Sequence, residues 1–216
     1  DGGSRVPSGE EARAEDDEVS ITRNAGRTGT FDEFCTPPFC VEALLPRLDL
    51  TSGLIIEPAA GDGAILRVLR DAGVPRDRLV ALEIRPECAP NLEPLAGRVK
   101  CPLDTIAWIK GAVAEGRDIA KFQTVITNPP FRLLDGTDGV MAFADACQHL
   151  LVPGGTLALF VRLGYLSAGR RAAWFRANAP DVAIIPKRPA FIAIAKCGAC
   201  GQKLTEPLDA GGGPRF

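Results

Sequence analysis

Alternation of apolar, strand-like runs with helical stretches predicts an α/β domain, a mostly parallel sheet with helices on both faces. Gly53-Leu54-Ile55-Ile56 runs straight into Gly61-Asp62-Gly63 and then a helical stretch, the strand–loop–helix unit that opens such folds. Phe122-Gln123-Thr124-Val125-Ile126 has the length and β-branched character of a buried strand, and Pro129-Pro130 stops its ladder. Pro153-Gly154-Gly155 marks a turn before another apolar run.

At 216 residues and 46% hydrophobic side chains, the chain is sized for one globular domain with a tail. No apolar run is long enough to span a membrane and the first residues are polar and acidic, so neither membrane insertion nor a secretory leader is expected. Seven cysteines, an odd number without framework-like spacing, fit a reducing, cytoplasmic setting. Residues 1–20 carry seven acids against Arg5 and Arg13, a balance of −5, which against −2 overall leaves +3 for the remainder. From Arg162 onward nine basic residues face three acids, a bias that suits nucleic acid and equally a solvated face.

Residues 1–28, rich in Gly, Ser, Arg and acids, are expected to form a disordered acidic tail. The folded domain is expected over 29–196, and a flexible tail carrying a CxxC over 197–216. Order starts between Phe31 and Pro38, where Thr36 can cap a helix whose first turn accepts Pro37. The first strand ends on Glu57-Pro58-Ala59-Ala60 and enters the glycine loop. Glycines at 61 and 63 let the backbone turn sharply and approach a ligand, to which the helix over 65–72 presents free N–H groups. That helix stops at Gly73, and residues 78–84 read as a second strand with Glu83 near its carboxyl end. An acid about twenty residues past a glycine loop is placed to hold ribose hydroxyls. A short third strand falls near 98–101, after which Asp104 either caps the helix over 106–114 or faces a ligand.

The fourth strand ends at Thr127-Asn128-Pro129-Pro130-Phe131. This stiff turn offers one side-chain amide, one carbonyl without an internal partner and one aromatic ring, the groups needed to grip a planar amine. Residues 133–139 read as a mobile loop and 140–151 as an amphipathic helix. The lone His149 lies in that helix, far in sequence from any acid–nucleophile grouping, and reads as structural. Strand five is expected over 156–161, then a helix over 168–178 carrying Arg170, Arg171 and Arg176. A sixth strand is expected over 181–185 and a seventh over 189–194. Cys197-Gly198-Ala199-Cys200-Gly201 is half a zinc ribbon by spacing. Two ligands are fewer than structural zinc takes, so no metal site is assigned, with Cys197 and Cys200 as its candidates.

Glu57, four residues before Gly61, resembles the start of the Asp/Glu-x-x-x-Gly-x-Gly loop of class I S-adenosylmethionine-dependent methyltransferases. The third glycine of a dinucleotide fingerprint is missing, with Leu66 in its place, which disfavours a NAD-linked oxidoreductase. Phe34 to Pro37 resembles the Phe/Tyr-x-Thr-Pro element of the amino-methyltransferases, and Asn128 to Phe131 their catalytic Asn-Pro-Pro-aromatic turn. Lys187-Arg188-Pro189-Ala190-Phe191 resembles an Arg-Pro-x-Phe element near the target base. Over residues 31–195 the chain looks most like the compact DNA adenine-N6 methyltransferases of phages and prophages. That resemblance implies a Rossmann-like fold with a seven-stranded, mostly parallel sheet, an antiparallel last strand and helices on both faces. It implies S-adenosyl-L-methionine as cofactor, held by Thr36, Pro37, Glu57, Pro58, Ala59, Gly61, Asp62, Gly63, Glu83, Asp104 and Asn128. It assigns catalysis to Asn128, Pro129, Pro130 and Phe131, and substrate contact to Phe131, Arg162, Arg188 and Phe191.

The implied reaction methylates adenine N6 in DNA, either single-stranded or with the base flipped from a duplex. Some twenty residues between Asp104 and Asn128 leave no room for a recognition domain, and the segment after the seventh strand is too short for one. Low sequence specificity is therefore expected. RNA (adenine N6 or guanine N2) and protein glutamine are alternative substrates, and a cofactor-binding module without turnover is the rival from another class. Ile192-Ala193-Ile194-Ala195 and the CxxC depart from the aromatic-rich last strand of the resembled enzymes.

Overall fold

The computed structural model describes residues 35–165, 169–178, 180–182, 184–185, 192–196 and 203–207. The expectations for residues 1–34 and for Arg188, Phe191, Cys197 and Cys200 lie outside them.

Five strands, β1 (Ile55–Glu57), β2 (Leu79–Leu82), β3 (Arg98–Lys100), β4 (Phe122–Thr127) and β5 (Leu151–Leu159), form one sheet in the order β3-β2-β1-β4-β5. Every pairing in it is parallel. Parallel neighbours require crossovers, which α2 (Ala64–Asp71), α3 (Ala89–Leu92), α4 (Thr105–Ala114) and α5 (Gly139–Gln148) provide. A short α1 (Pro38–Glu42) precedes β1, and α6 (Ala172–Asn178) follows β5.

Because side chains alternate along a strand, each strand feeds two cores. Ile55, Leu79, Ala81 and Ile126 pack with Val41 of α1, Ile65, Leu66 and Leu69 of α2, and Leu92 of α3. Ile56, Val80, Leu82 and Val125 pack with Ile106 and Ile109 of α4 and Phe143 and Cys147 of α5. Extending the same alternation past the strand ends places Glu57, Glu83 and Asn128 on the α1–α2 side.

The sheet departs from the seven-stranded expectation. Among the described residues it has five strands, all parallel, with no antiparallel last strand. Ile192–Lys196 (β6) is a strand, but it pairs antiparallel with Lys203–Pro207 (β7) in a separate two-stranded sheet. β7 lies in the segment read as a flexible tail. No strand forms over the described part of 181–185, where Val182 and Ile184 are exposed. An alternating β-branched run becomes a strand only where a neighbour accepts its hydrogen bonds. Residues 133–139, the stretch read as a loop, close into a tight turn: Arg132 bridges Asp138, and the Leu133 N–H donates to the Thr137 carbonyl at 3.0 Å. No helix among the described residues is long and apolar enough to cross a membrane.

Candidate active site at the carboxyl edge of the sheet

Chain direction across the sheet reverses between β1 and β4: after β1 it moves to β2 and β3, then returns through β4 to β5. Open α/β sheets bind ligands in the crevice at such a switch point. The glycine loop leaves β1 there and the Asn-Pro-Pro-Phe turn leaves β4 there.

The glycine loop is stitched to the end of β2. The Ala60 N–H donates to the Leu82 carbonyl at 2.9 Å, and the Gly61 N–H to Glu83 Oε2 at 2.6 Å. Thr105 Oγ1 donates to the Pro58 carbonyl at 2.7 Å and ties the loop to α4. Gly61 and Gly63 have φ of +57° and +87°, where a side chain would be strained. A Cβ on Gly63 would stand 2.5 Å from Leu95 Cδ1, so this glycine answers to packing around α3 as well as to any ligand. Asp62 pairs with Arg67 at 3.2 Å.

Glu57 is buried, and its Oε2 has no hydrogen-bond partner. Burial pushes its carboxyl well above the usual carboxylate range, helped by the charges of Glu83 and Asp62. The Leu66 N–H and Arg67 offset part of that. Glu83 is also buried, but its carboxylate is saturated on one side. Oε1 accepts from the Arg85 backbone N–H at 3.0 Å and from Arg85 Nε at 2.8 Å. Asp104 caps α4, accepting from the Ala107 N–H at 2.9 Å, and its neighbour Leu103 donates to the Glu83 carbonyl at 2.7 Å.

At the second half of the site, Asn128 Nδ2 donates to Thr36 Oγ1 at 3.1 Å, joining residues 92 positions apart. Thr36 therefore does not cap α1: the cap position is Pro37, which has no side-chain bond to offer. With its nitrogen committed, the Asn128 amide has its oxygen left to accept from a substrate. The turn beyond is fixed by the Gly139 N–H donating to the Phe131 carbonyl at 3.1 Å. A Cβ on Gly139 would come within 2.1 Å of the Pro130 carbonyl oxygen, so only glycine fits under the turn.

The guanidinium of Arg162 lies 4.0 Å over the Phe131 ring, a cation–π contact that covers one face of it. Arg132, which sequence reading passed over, is the exposed neighbour of Phe131. Arg171, one of the three arginines of the stretch 168–178, is buried and paired. Its Nε and Nη2 donate to Asp138 Oδ2 at 3.2 and 3.1 Å, and it stacks 3.4 Å over the Tyr165 ring. Tyr165 donates its hydroxyl to Asp138 Oδ1 at 2.7 Å, and its phenol is pushed up by burial and by Asp138. Asp138 also accepts from the Met141 N–H and so caps α5. Burial raises its carboxyl, but the bonds from Tyr165, Met141 and Arg171 outweigh that and hold it below the usual range. Adjacent sequence positions carry no signal of this triad. His149 closes α5, with its carbonyl accepting from Lys121 Nζ at 2.7 Å. Among the described residues no three His, Cys, Asp or Glu side chains gather to hold a metal.

No family profile and no curated protein matches the chain. Solved structures do. A protein described as the modification subunit of a type I restriction enzyme from Vibrio vulnificus superposes at a TM-score of 0.51 with 20% identity, over 69% of this chain and 38% of its own. A protein from Listeria monocytogenes described as a class I S-adenosylmethionine-dependent methyltransferase gives 0.49 with 14% identity, over 65% and 49%. Human methyltransferase-like protein 13, solved in complex with SAH, gives 0.38 with 18% identity, over 55% and 60%. The chain thus spans half or less of the first two proteins. The Vibrio superposition shows the fold, a Rossmann-like α/β domain.

Proposed function

We propose that the chain is an S-adenosylmethionine-dependent methyltransferase acting on the exocyclic N6 amine of adenine in DNA, with low sequence specificity. The observation that carries the reading is the Asn128–Thr36 hydrogen bond at the switch point. It turns the amide oxygen into the acceptor of the Asn-Pro-Pro-Phe turn, beside the loop that ends β1.

The residues fit the cofactor. Glu57, buried with an unpartnered oxygen, lacks the positive partner that an ammonium group would bring. Glu83 at the end of β2 retains acceptor capacity for a ribose hydroxyl. Thr36, Pro37, the 58–63 loop and Asp104 complete the proposed cofactor set. Bound there, S-adenosylmethionine supplies an electrophilic methyl group on a sulfonium.

The chain's own part is positioning. An exocyclic aromatic amine is a poor nucleophile because its lone pair is delocalised into the ring. Asn128 Oδ1 and the Pro129 carbonyl accept its two hydrogens and draw the nitrogen towards a tetrahedral form. Preorganised acceptors at fixed spacing supply the acceleration, and no strong general base is required. Phe131 stacks on the base, which must leave its duplex to reach the site. Arg162 over that ring and the exposed Arg132 next to it in sequence suit phosphates, which favours nucleic acid over protein. Between Asp104 and Asn128 the chain holds α4 and β4, with no inserted unit to read bases.

Methyl-labelled S-adenosylmethionine offered in parallel to unmethylated DNA, total RNA and protein tests the reading. Label in DNA supports it. Label confined to RNA or to protein glutamine moves the substrate, and cofactor binding without transfer to any of them makes the chain a binding module.

A further inference from the structure

The Glu83 carboxylate has four lone-pair positions to offer. Oε1 uses both of its own on Arg85, through the backbone N–H and through Nε. Oε2 uses one on the Gly61 N–H. One position is left, on Oε2. Arg85 is itself buried, and the pair is shielded from solvent on both sides. Its Nη2 stands 3.4 Å from where a Cβ on Gly61 would be, so the guanidinium is wedged between the glycine loop and the acid. Rotating it away means moving a buried charge from its counter-ion, which is costly.

We infer that Arg85 is a specificity-determining positioning residue: by holding Glu83 Oε1, it limits the acid to one ribose hydroxyl of a bound nucleoside. The inference rests on the cofactor reading above and sharpens it. A carboxylate at this strand end could grip both hydroxyls of a ribose, one on each oxygen; here Arg85 stands in the second place. Discrimination against a missing hydroxyl is therefore one-sided. A hydrogen bond to a charged group is worth roughly tenfold to a hundredfold in affinity. That factor falls on one hydroxyl, and the other is nearly silent.

The test is calorimetric binding of S-adenosylhomocysteine, and of its two analogues lacking one or the other ribose hydroxyl, to the full chain. In the wild type, one deletion weakens binding roughly tenfold or more and the other less than about threefold. Arg85→Met removes the Nε donor and keeps the apolar stem, so both hydroxyls then matter to a similar degree. Arg85→Lys keeps the charge at Glu83 and restores the one-sided pattern. A generally loosened site would weaken all three ligands alike and leave their ratios unchanged. Equal dependence on both hydroxyls in the wild type overturns the inference without any variant, and so does a one-sided pattern that persists in Arg85→Met. If the wild type binds none of the three ligands, the cofactor reading fails and this inference falls with it.

Discussion

Asn128 owes its orientation to a hydroxyl that arrives from the far end of the domain, Thr36 just ahead of α1. Removing that hydroxyl frees the amide to rotate. Thr36→Val is expected to lower kcat about tenfold, the scale of one lost hydrogen bond, and Thr36→Ser to restore it. Steady-state kinetics on the methylated substrate reads both. Glu57 offers a second test through protons. Its folded carboxyl sits well above the unfolded range, chiefly through burial, so the folded chain binds the extra proton. Its contribution to stability is full below about 4.3 and is lost as pH rises through the raised folded value. Glu57→Gln keeps the neutral shape, so the variant's stability should stop falling with pH over that window in denaturant titrations. The same variant should bind S-adenosylmethionine at least tenfold more weakly, because a neutral amide offers no charge to an ammonium. A steeper pH dependence in Glu57→Gln would contradict this assignment.

The β4–α5 connection holds the proposed catalytic turn through the Gly139 N–H on the Phe131 carbonyl. A Cβ at Gly139 would run into the Pro130 carbonyl, so Gly139→Ala must push that turn aside. The expected cost is about 1–3 kcal/mol in unfolding free energy. A displacement on the order of 1 Å at the reacting groups lowers turnover about a hundredfold. Asp138 ties the same turn to Tyr165 and Arg171. Its lowered carboxyl contributes stability above the unfolded value of about 3.9, lost as pH falls through the folded value. Asp138→Asn should therefore cost about 1–3 kcal/mol at neutral pH and flatten the acid limb of the unfolding profile. Two strands of the main sheet carry their own stop in the sequence, Glu57-Pro58 at the end of β1 and Pro129-Pro130 just past β4, which made them legible. Strand five begins earlier than the sequence suggests, at Leu151, because Pro153-Gly154-Gly155 is absorbed as an irregularity in the pairing with β4. The described residues of 181–185 show the reverse error, an apolar run that forms no strand among the described residues. The pairs Arg171–Asp138 and Arg85–Glu83 were invisible for another reason: a charged side chain advertises its chemistry but not its counter-ion.

At the scale of the whole molecule, the strand order 3-2-1-4-5 decides which loops can cooperate. It brings the carboxyl ends of β1, β2 and β4 to one edge, and strand alternation turns Glu57, Glu83 and Asn128 to one face. That much can be read from the sequence once the topology is known, since each residue sits at a strand end of known phase. The flanking arginines are less legible, because burial sorts them: Arg171 is consumed by the fold, while Arg132 and Arg162 stay at the surface. Binding through those two should be salt-dependent, and Arg162→Ala should weaken DNA affinity while reducing the slope of log affinity against log salt by about one. The central claim is that Asn128 directs methyl transfer to the N6 amine of adenine in DNA. Its most direct test is nucleoside mass spectrometry of unmethylated DNA incubated with S-adenosylmethionine and either the wild type or Asn128→Ala. The account predicts N6-methyladenine with the wild type and a loss of at least a hundredfold with the variant. Methyl groups found on cytosine carbon, or N6-methyladenine formed equally well by Asn128→Ala, would contradict it.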